Sequence, residues 1–385
     1  MHEAVIIDAV RTPLGKRNGS LSDWHPADLA AETLKALAER NDLDPVHVDD
    51  VIMGCVSQVG EQTYNIGRNA VLGAGWPETV PGVTIDRQCG SSQQSVHFAA
   101  QGVMAGAYDV VVAAGVESMT RVPMGSSMAD GKPFGEKMRE RYQNNLIPQG
   151  LSAEMIAEKW NIPREELDGY GADSQNRAIR ATEEGRFEAE IIPIEVKTDG
   201  VVRTLDRDEG LRPGTTVESL SNLRPAFKEN GVVTAGNSSQ ITDGSAAILI
   251  TSSEKAKELG LTPRARFVSF SLAGTDPVSM LTGPIPATEK VLAKAGLTHD
   301  DIDLYEVNEA FAAVIGAWLR ETGADWDKVN VNGGAIALGH PLGASGARLM
   351  TTLVNELERS GGRYGLQTMC EGGGLANGTI IESLA

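Results

Sequence analysis

The chain has 385 residues, of which 41% are hydrophobic and 22% charged, and it carries a formal net charge of −18. This length exceeds the size at which a single hydrophobic core stops growing, so we expect two or more domains. The negative charge argues against nucleic acid or an anionic membrane surface as a partner, because both require a basic footprint. An anionic small molecule needs only a local basic patch.

The two ends of the chain and its cysteines indicate where the protein works. The N-terminus leads directly into a strand-like run without a basic leader, and no apolar run approaches the ~18 residues that span a membrane. The three cysteines, Cys55, Cys89 and Cys370, have no CxxC spacing and form no even set. This usage is typical of a reducing compartment with neither disulfides nor a zinc site. We therefore expect a cytoplasmic protein with no bound metal.

Strand-like and helix-like segments alternate in the first part of the chain. In chain order we predict a strand at 4–10, a helix at 26–40, a strand at 51–56, a helix at 66–73, a strand at 83–85, a helix that begins near 90–92, and a strand at 110–114. Such alternation favours an α/β fold with a mainly parallel sheet. Cys55 lies in the apolar run VIMGCV, and we interpret it as a core residue.

Cys89 lies at the turn between the strand at 83–85 and the helix that follows. A thiol there is close to unpaired N–H groups and to the positive end of the helix dipole. We therefore expect its pKa to be lowered towards ~3.5–7.5 from ~8.5. Two interpretations stay open on this stretch alone: a nucleophile, or one of the small buried hydrophobes that most free cysteines are.

The region 118–243 interrupts the alternation. Residues 118–150 are rich in Met, Gly, Ser and Pro, 152–185 has a helical pattern, and 191–243 is polar and turn-rich. The last part carries a basic cluster, which consists of Arg203, Arg207, Arg212, Arg224 and Lys228. It is either a phosphate site or a solvated surface, and the pattern does not decide between them.

After a strand at 246–252, the second half repeats the pattern of the first. Residues 289–311 parallel 34–56, with a helix, a turn, an acidic pair and a strand. The unit of Cys89, its helix and the strand at 109–114 parallels His340, a helix at 345–358 and a strand at 364–370. Two similar halves place Cys89 and His340 at equivalent turns that face each other, with 119–240 as an insertion.

Three short motifs, at 307–311, 332–343 and 369–374, carry the chemistry of the second half. His340 lies between a glycine and a proline at a helix entrance, and Cys370 ends a strand before three glycines, so we expect both side chains to be exposed. Two thiols and an imidazole suit a covalent acyl-enzyme: one thiolate attacks a carbonyl and the second moves protons. Backbone N–H groups of the glycine-rich turns can stabilise the oxyanion.

These motifs together resemble the thiolases, acyltransferases that make or cleave 3-oxoacyl-CoA. The resemblance runs from RTPLGKRNG through DRQCGSS, NEAF and NGGAIALGHPLGASG to CEGGG, which is essentially the whole chain. It implies a five-layered αβαβα fold of two duplicated halves, with an inserted loop domain that holds coenzyme A. The expected parts are an N-terminal half at 1–118, completed by 241–262, the insertion at 119–240, and a C-terminal half at 263–385.

The resemblance also implies roles for individual residues. Cys89 is expected to be the acylated nucleophile, His340 its activator and Cys370 the general acid and base. Asn308 is expected to hold a water that forms one oxyanion hole with His340, and the N–H groups of Cys89 and Gly372 to form the second. Coenzyme A, a substrate and not a cofactor, is expected to contact Arg212, Ser219 and Ser239. The family also implies a homo-oligomer, a dimer or a dimer of dimers.

The motifs depart from the short-chain, acetoacetyl-type members of the family. Those carry a His-Met-Gly run where this chain has Pro148-Gln149-Gly150, and the nucleophile motif also differs from the common form. We therefore expect a degradative enzyme with a medium, long or bulky acyl substrate. The segments GKRNG, GEQTYNI and SSQQS resemble lipid- and steroid-degrading members from actinobacteria.

Three alternatives remain beside this hypothesis. The first is an acetoacetyl-CoA thiolase. The second is a non-catalytic, thiolase-like acyl-CoA-binding protein, which would lack at least one of Cys89, His340 and Cys370. The third is a decarboxylating ketoacyl synthase, which shares the fold but lacks the cysteine of CEGGG.

Overall fold

The computed structural model describes residues 2–198 and 200–385. The strands are β1 (Ala4–Arg11), β2 (Gly15–Lys16), β3 (Asp50–Gly54), β4 (Val83–Ile85), β5 (Val110–Ser118), β6 (Ile194–Thr198), β7 (Val201–Leu205), β8 (Thr242–Ser252), β9 (Ala265–Gly274), β10 (Leu304–Val307), β11 (Tyr364–Glu371) and β12 (Leu375–Ser383). The helices are α1 (Pro26–Arg40), α2 (Ile66–Gly73), α3 (Ser91–Ala105), α4 (Glu136–Arg141), α5 (Gln149–Lys159), α6 (Arg164–Glu183), α7 (Val217–Ser221), α8 (Ser253–Leu259), α9 (Pro284–Ala295), α10 (Ala312–Thr322) and α11 (Ser345–Ser360).

The large sheet consists of two halves with the same topology. The first half has the order β1-β8-β5-β3-β4 and the second β9-β12-β11-β10, and they join where Val5 and Ile6 pair with Arg266 and Ala265. In both halves two antiparallel pairs are followed by a parallel pair. The predicted duplication is therefore confirmed.

The expectation of a mainly parallel sheet is wrong. Each half ends with a strand, β8 or β12, that runs back between two earlier strands and pairs antiparallel with both. Because β8 follows the long region 119–240, the sequence pattern around it does not show which strands it joins. The register shows that β8 lies between β1 and β5.

Three apolar clusters stack the elements into five layers. One packs α1 and α2 on the outer face of the first half-sheet, and another packs residues of α9 and α10 on the outer face of the second. Between the two half-sheets lies a third cluster, formed by α3, α11 and the inner faces of both. The chain therefore has the predicted αβαβα architecture, with α3 and α11 as its central layer.

The region 119–240 lies outside this layered body. Its described residues add no strand to the large sheet and form α4–α7 and the hairpin β6–β7. The region predicted as helical, 152–185, is two helices, α5 and α6, separated by a turn that contains Pro163. The division of the chain at 118, 240 and 262 stays a prediction.

A buried ion cluster ties the insertion to the first half. Arg11, at the end of β1, donates to Glu190 over 2.6 Å and to both carboxylate oxygens of Asp208 over 2.7 and 3.0 Å. All three side chains are almost completely buried. Removal of one member of such a cluster would leave an uncompensated buried charge, so the contact fixes where the insertion meets the sheet.

Candidate active site

The first turns of the two central helices touch, and this contact brings the Cys89 and His340 segments together. The N–H of Ala347 in α11 donates to Oγ of Ser92 in α3 over 2.8 Å. A β-carbon at Gly346 would lie 2.2 Å from the backbone nitrogen of Gln93, so only glycine allows this approach. Cys89 and His340 each precede one of these helices, so both lie at the same end of the central layer.

Cys89 lies in the predicted turn between β4 and α3. Gln88, just before it, has a φ of +50°, a left-handed conformation that is uncommon for residues other than glycine. The Cys89 side chain packs with Met119, Leu342 and Met369 and is only 6% exposed. The backbone N–H groups of Gly372 and of Cys89 itself act on its sulfur and lower its pKa.

The predicted lowering of the Cys89 pKa is wrong. Burial, together with the charge of Glu371, raises the pKa of this thiol to about 12, although the N–H groups of Gly372 and Cys89 lower it. The sequence reasoning counted the helix terminus and did not foresee the removal of the side chain from water. Cys89 is therefore a protonated thiol at neutral pH and needs a base to become a nucleophile.

His340 can serve as that base. It follows Gly339, which has a φ of +114°, and a β-carbon at Gly339 would lie 2.2 Å from Oγ1 of Thr242, so only glycine fits there. Burial, together with the charge of Arg348, lowers the pKa of His340 to about 3, so the imidazole is neutral. The predicted exposure of this side chain is wrong, because only 4% of the residue is accessible.

The hydrogen bonds of His340 select one tautomer. The hydroxyl of Ser345 donates to the carbonyl of Pro341 over 2.8 Å, and it lies 2.5 Å from Nδ1 of His340. Since that hydroxyl proton is used, Nδ1 carries the imidazole proton and donates to Ser345, which leaves Nε2 as the basic atom. Nε2 lies 3.4 Å from Nδ2 of Asn308, whose Oδ1 is buried without a partner among the described residues.

Cys370 lies in β11, one residue before its end, and is 1% exposed. The predicted exposed turn is therefore wrong, because β11 continues through Glu371 and Cys370 packs in an apolar cluster with Met280 and Phe311. Burial raises the pKa of Cys370, and the negative charges of Cys89 and Glu371 raise it further. The two sulfurs are thus close enough to influence each other. Cys55, as predicted, is a core residue, with no accessible surface.

A cavity of about 840 Å³ lies beside His340, and neither Cys89 nor Cys370 is on its wall. His340 and Leu342 lie on its wall, and Met119 and Leu342 also contact Cys89. Apolar side chains line much of it, including Met124, Phe227 and Phe311. The cavity can therefore accept a long, partly apolar molecule that reaches His340 and the apolar side chains that pack with Cys89.

Two of the three residues that are expected to contact coenzyme A line this cavity, and the third does not. Arg212 and Ser239 line the cavity. Ser219 is exposed, and its hydroxyl forms a capping box with Thr216 at the start of α7. Ser219 is not one of the residues that line this cavity, and its contact with coenzyme A stays a prediction.

The predicted basic cluster does not converge. Only Arg212 of its five members reaches the cavity wall, whereas Arg207 pairs with Asp206 at the surface and Lys228 lies 4.0 Å from Glu158. Lys16 and Arg17, which the sequence analysis missed, also line the cavity. They come from the GKRNG segment, far from the cluster in sequence, and no pattern links them to Arg212.

Two buried glutamates that the sequence analysis missed hold the motif loops in place. Glu117, on β5, accepts hydrogen bonds from the N–H groups of Val56, Ser57 and Gly343, so it fixes the turn after His340. Glu309, next to Asn308, accepts from the Ser174 hydroxyl over 2.6 Å. The signals in the sequence that could have indicated these two residues are the glutamate of NEAF and the glutamate near the end of β5.

Other kinds of site are not found in the described part of the chain. No group of three or more His, Cys, Asp or Glu side chains among residues 2–198 and 200–385 could hold a metal ion. No helix in these ranges is long and apolar enough to cross a membrane.

Comparisons with known proteins place these features in a family. The family model described as Thiolase, N-terminal domain, matches residues 4–254, and that described as Thiolase, C-terminal domain, matches residues 261–383. A steroid 3-ketoacyl-CoA thiolase, FadA6, from Mycobacterium tuberculosis is 53% identical over 100% of this chain and 95% of its own length. A 3-ketoacyl-CoA thiolase from Idiomarina loihiensis is 46% identical over 99% and 100%.

A solved structure shows the same fold. The crystal structure of a Bacillus anthracis acetyl-CoA acetyltransferase superposes with a TM-score of 0.92 at 41% sequence identity. The superposition covers 100% of this chain and 99% of that one. The similarity therefore includes both halves and the region 119–240.

Proposed function

The chain belongs to the thiolase family, and we propose that it cleaves 3-oxoacyl-CoA with coenzyme A, giving acetyl-CoA and a shortened acyl-CoA. One observation carries the proposal. Cys89, a buried neutral thiol, and His340, a buried neutral imidazole, come from opposite halves of the chain. Each precedes one of the two helices whose first turns touch, and a second thiol, Cys370, is close enough to Cys89 for their charges to interact.

In the first step Cys89 attacks the 3-keto carbon while its proton passes to Nε2 of His340. A neutral pair suits this step, because imidazole has an empty proton site and the thiol is a weak nucleophile until it loses its proton. The negative charge moves to the keto oxygen, where the N–H groups of Cys89 and Gly372, or Asn308 with His340, would stabilise it. These two N–H groups already act on the Cys89 sulfur and lower its pKa.

The next steps pass through Cys370. The bond between C2 and C3 breaks, the acetyl-CoA carbanion takes the proton of Cys370, and Cys89 keeps the acyl group as a thioester. Cys370 then takes the proton of the coenzyme A thiol, whose sulfur attacks that thioester. Cys89 leaves and recovers its proton from His340. Because the acylated Cys89 holds no charge, the repulsion that raises the Cys370 pKa is absent when Cys370 must ionise.

The acyl substrate is proposed to be medium, long or bulky, as in fatty-acid or steroid side-chain β-oxidation. Support comes from the relative named as a steroid 3-ketoacyl-CoA thiolase and from the apolar part of the cavity wall. The relative named as an acetyl-CoA acetyltransferase supports the second candidate, a short-chain acetoacetyl-CoA thiolase. Acyl transfer through a thioester changes no redox state, so we propose that no cofactor is needed. A cytoplasmic location stays a prediction.

We also propose that the chain forms a homo-oligomer. Strand β4 lies at the edge of the large sheet, and Val83 on it, with Phe98 on α3 and Leu72 on α2, is exposed. Exposed apolar groups near a sheet edge are typical of a surface that another chain covers. Light scattering should give a mass of at least twice that of one chain, and a monomer at micromolar concentration would contradict the proposal.

Thiolysis assays test the reaction and its substrate together. We expect coenzyme A-dependent cleavage of 3-oxoacyl-CoA with C8, C16 or steroid side-chain acyl groups to be faster than with C4. The Cys89→Ser variant should be at least about 10⁴-fold slower, since the nucleophile is lost. Unchanged activity in this variant would refute the nucleophile, and a preference for C4 would favour the acetoacetyl-CoA candidate.

Arg212→Ala tests the proposed coenzyme A site. A lost charge-assisted hydrogen bond to a phosphate should raise KM for coenzyme A about tenfold and leave kcat nearly unchanged, because the same contact is lost before and in the transition state. Arg207→Ala is the matched control, since Arg207 is 72% exposed and faces Asp206. Equal KM values in the two variants would show that Arg212 belongs to a solvated surface.

A further inference from the structure

Glu371 follows Cys370 in the CEGGG motif, and the steps above do not use it. It is the last residue of β11 and has no accessible surface. Neither carboxyl oxygen has a hydrogen-bond partner among the described residues. An ionised carboxylate in such surroundings is strongly destabilised, whereas a protonated one needs only an acceptor for its single O–H.

Such an acceptor lies next to it. A β-carbon at Gly90 would lie 2.0 Å from Oε1 of Glu371 and 2.6 Å from Oδ1 of Asn377, so the two oxygens are neighbours above the same backbone atom. Oδ1 of Asn377 is also buried without a partner among the described residues. The amide nitrogen of Asn377 already donates to Gln94 over 3.2 Å, which leaves its oxygen to face Glu371.

The carboxyl group therefore lies between the two segments that supply N–H groups to the reaction. Gly90 follows Cys89, and Glu371 precedes Gly372. We propose that Glu371 is a positioning residue that acts as a neutral carboxylic acid: its O–H donates to Asn377, and its carboxyl group holds the Cys89 and Gly372 N–H groups aimed at one point. This proposal rests on the proposed function for its effect on turnover, but not for the protonation of Glu371.

The charges around Glu371 agree with a neutral acid. Burial raises its pKa to about 8, the guanidinium of Arg87 lowers it and Asp86 raises it. The other titratable groups that face it are the thiols Cys89 and Cys370, and ionised Glu371 raises the pKa of both. Loss of the Glu371 proton would thus place a negative charge behind the position of the oxyanion.

The ratio of kcat/KM between the Glu371→Gln variant and the wild type reports the ionisation of Glu371. In Glu371→Gln the amide keeps a donor for Asn377 and cannot ionise. We expect kcat/KM of this variant, divided by that of the wild type, to rise roughly tenfold from pH 7 to pH 9. The reason is that the protonated fraction of wild-type Glu371 falls by about that factor over this range. The ratio cancels the titration of coenzyme A, which is the same in both assays. A ratio that stays constant with pH would overturn the proposal.

Two further variants separate this effect from a general loss of packing. Glu371→Ala removes the contact with Gly90 and should lower kcat about tenfold or more at pH 7 without changing KM for coenzyme A. Equal kcat in the Ala variant and the wild type would overturn the positioning role. Asp50→Asn is the control, since burial also raises the pKa of Asp50, which begins β3 and belongs to none of the motifs that form the candidate site. Its activity ratio should not change with pH.

Unfolding in urea reports the proton without any assay of activity. The folded pKa of about 8 lies above the ordinary value of 4.5, so the folded state holds the proton more tightly. This stabilisation is complete below pH 4.5 and is lost as the pH rises through 8. Relative to Glu371→Gln, the wild type should therefore lose stability between these values. A constant difference would overturn the neutral acid, and a changing one would support it even if no thiolysis were found.

Discussion

The contact between the first turns of α3 and α11 is the constraint on which the rest of the structure depends. Gly346 lets the backbone of α11 approach Gln93. A β-carbon at Gly115 would lie 2.3 Å from the carbonyl oxygen of Gly343, so these two segments are also in close contact. Because Cys89 and His340 precede these two helices, their relation is set by backbone packing in the middle layer and not by mobile loops. The duplication explains why such a site exists: equivalent turns of two similar halves meet at one end of the layer.

The same packing removes the reactive groups from water, and this decides their protonation. Burial raises the pKa of both thiols and lowers that of His340, so the site holds neutral groups. In a dry site, N–H donors and oriented side chains act on developing charge more strongly than they do in water. Glu371 fits this pattern as a fourth buried group whose neutral form suits the site. The ionisable groups of the site are therefore neutral before the reaction, and charges form on them only during it.

Most of the fold could be predicted from local patterns. The helices at 26–40 and 66–73 were bounded correctly because capping residues, proline and apolar spacing agree there. The place of β8 between β1 and β5 could not be predicted, because it depends on pairing across the long region 119–240. The motifs pointed to the candidate site residues, whose catalytic roles stay predictions. The predicted exposure of Cys370 and His340 and the predicted pKa of Cys89 were wrong. Burial comes from elements distant in sequence, and motif composition does not reveal it.

The central claim is that Cys89 and His340 form one neutral pair that makes a thioester, while Cys370 acts only in the later proton transfers. Mass spectrometry of the Cys370→Ala and His340→Ala variants after exposure to acetyl-CoA tests it most directly. We expect Cys370→Ala still to carry an acetyl group on Cys89, because coenzyme A can leave as a thiolate without the proton of Cys370, and to form no carbon–carbon bond. We expect His340→Ala to acylate far more slowly. Acetylation at another residue, or acylation of His340→Ala at the wild-type rate, would contradict the account.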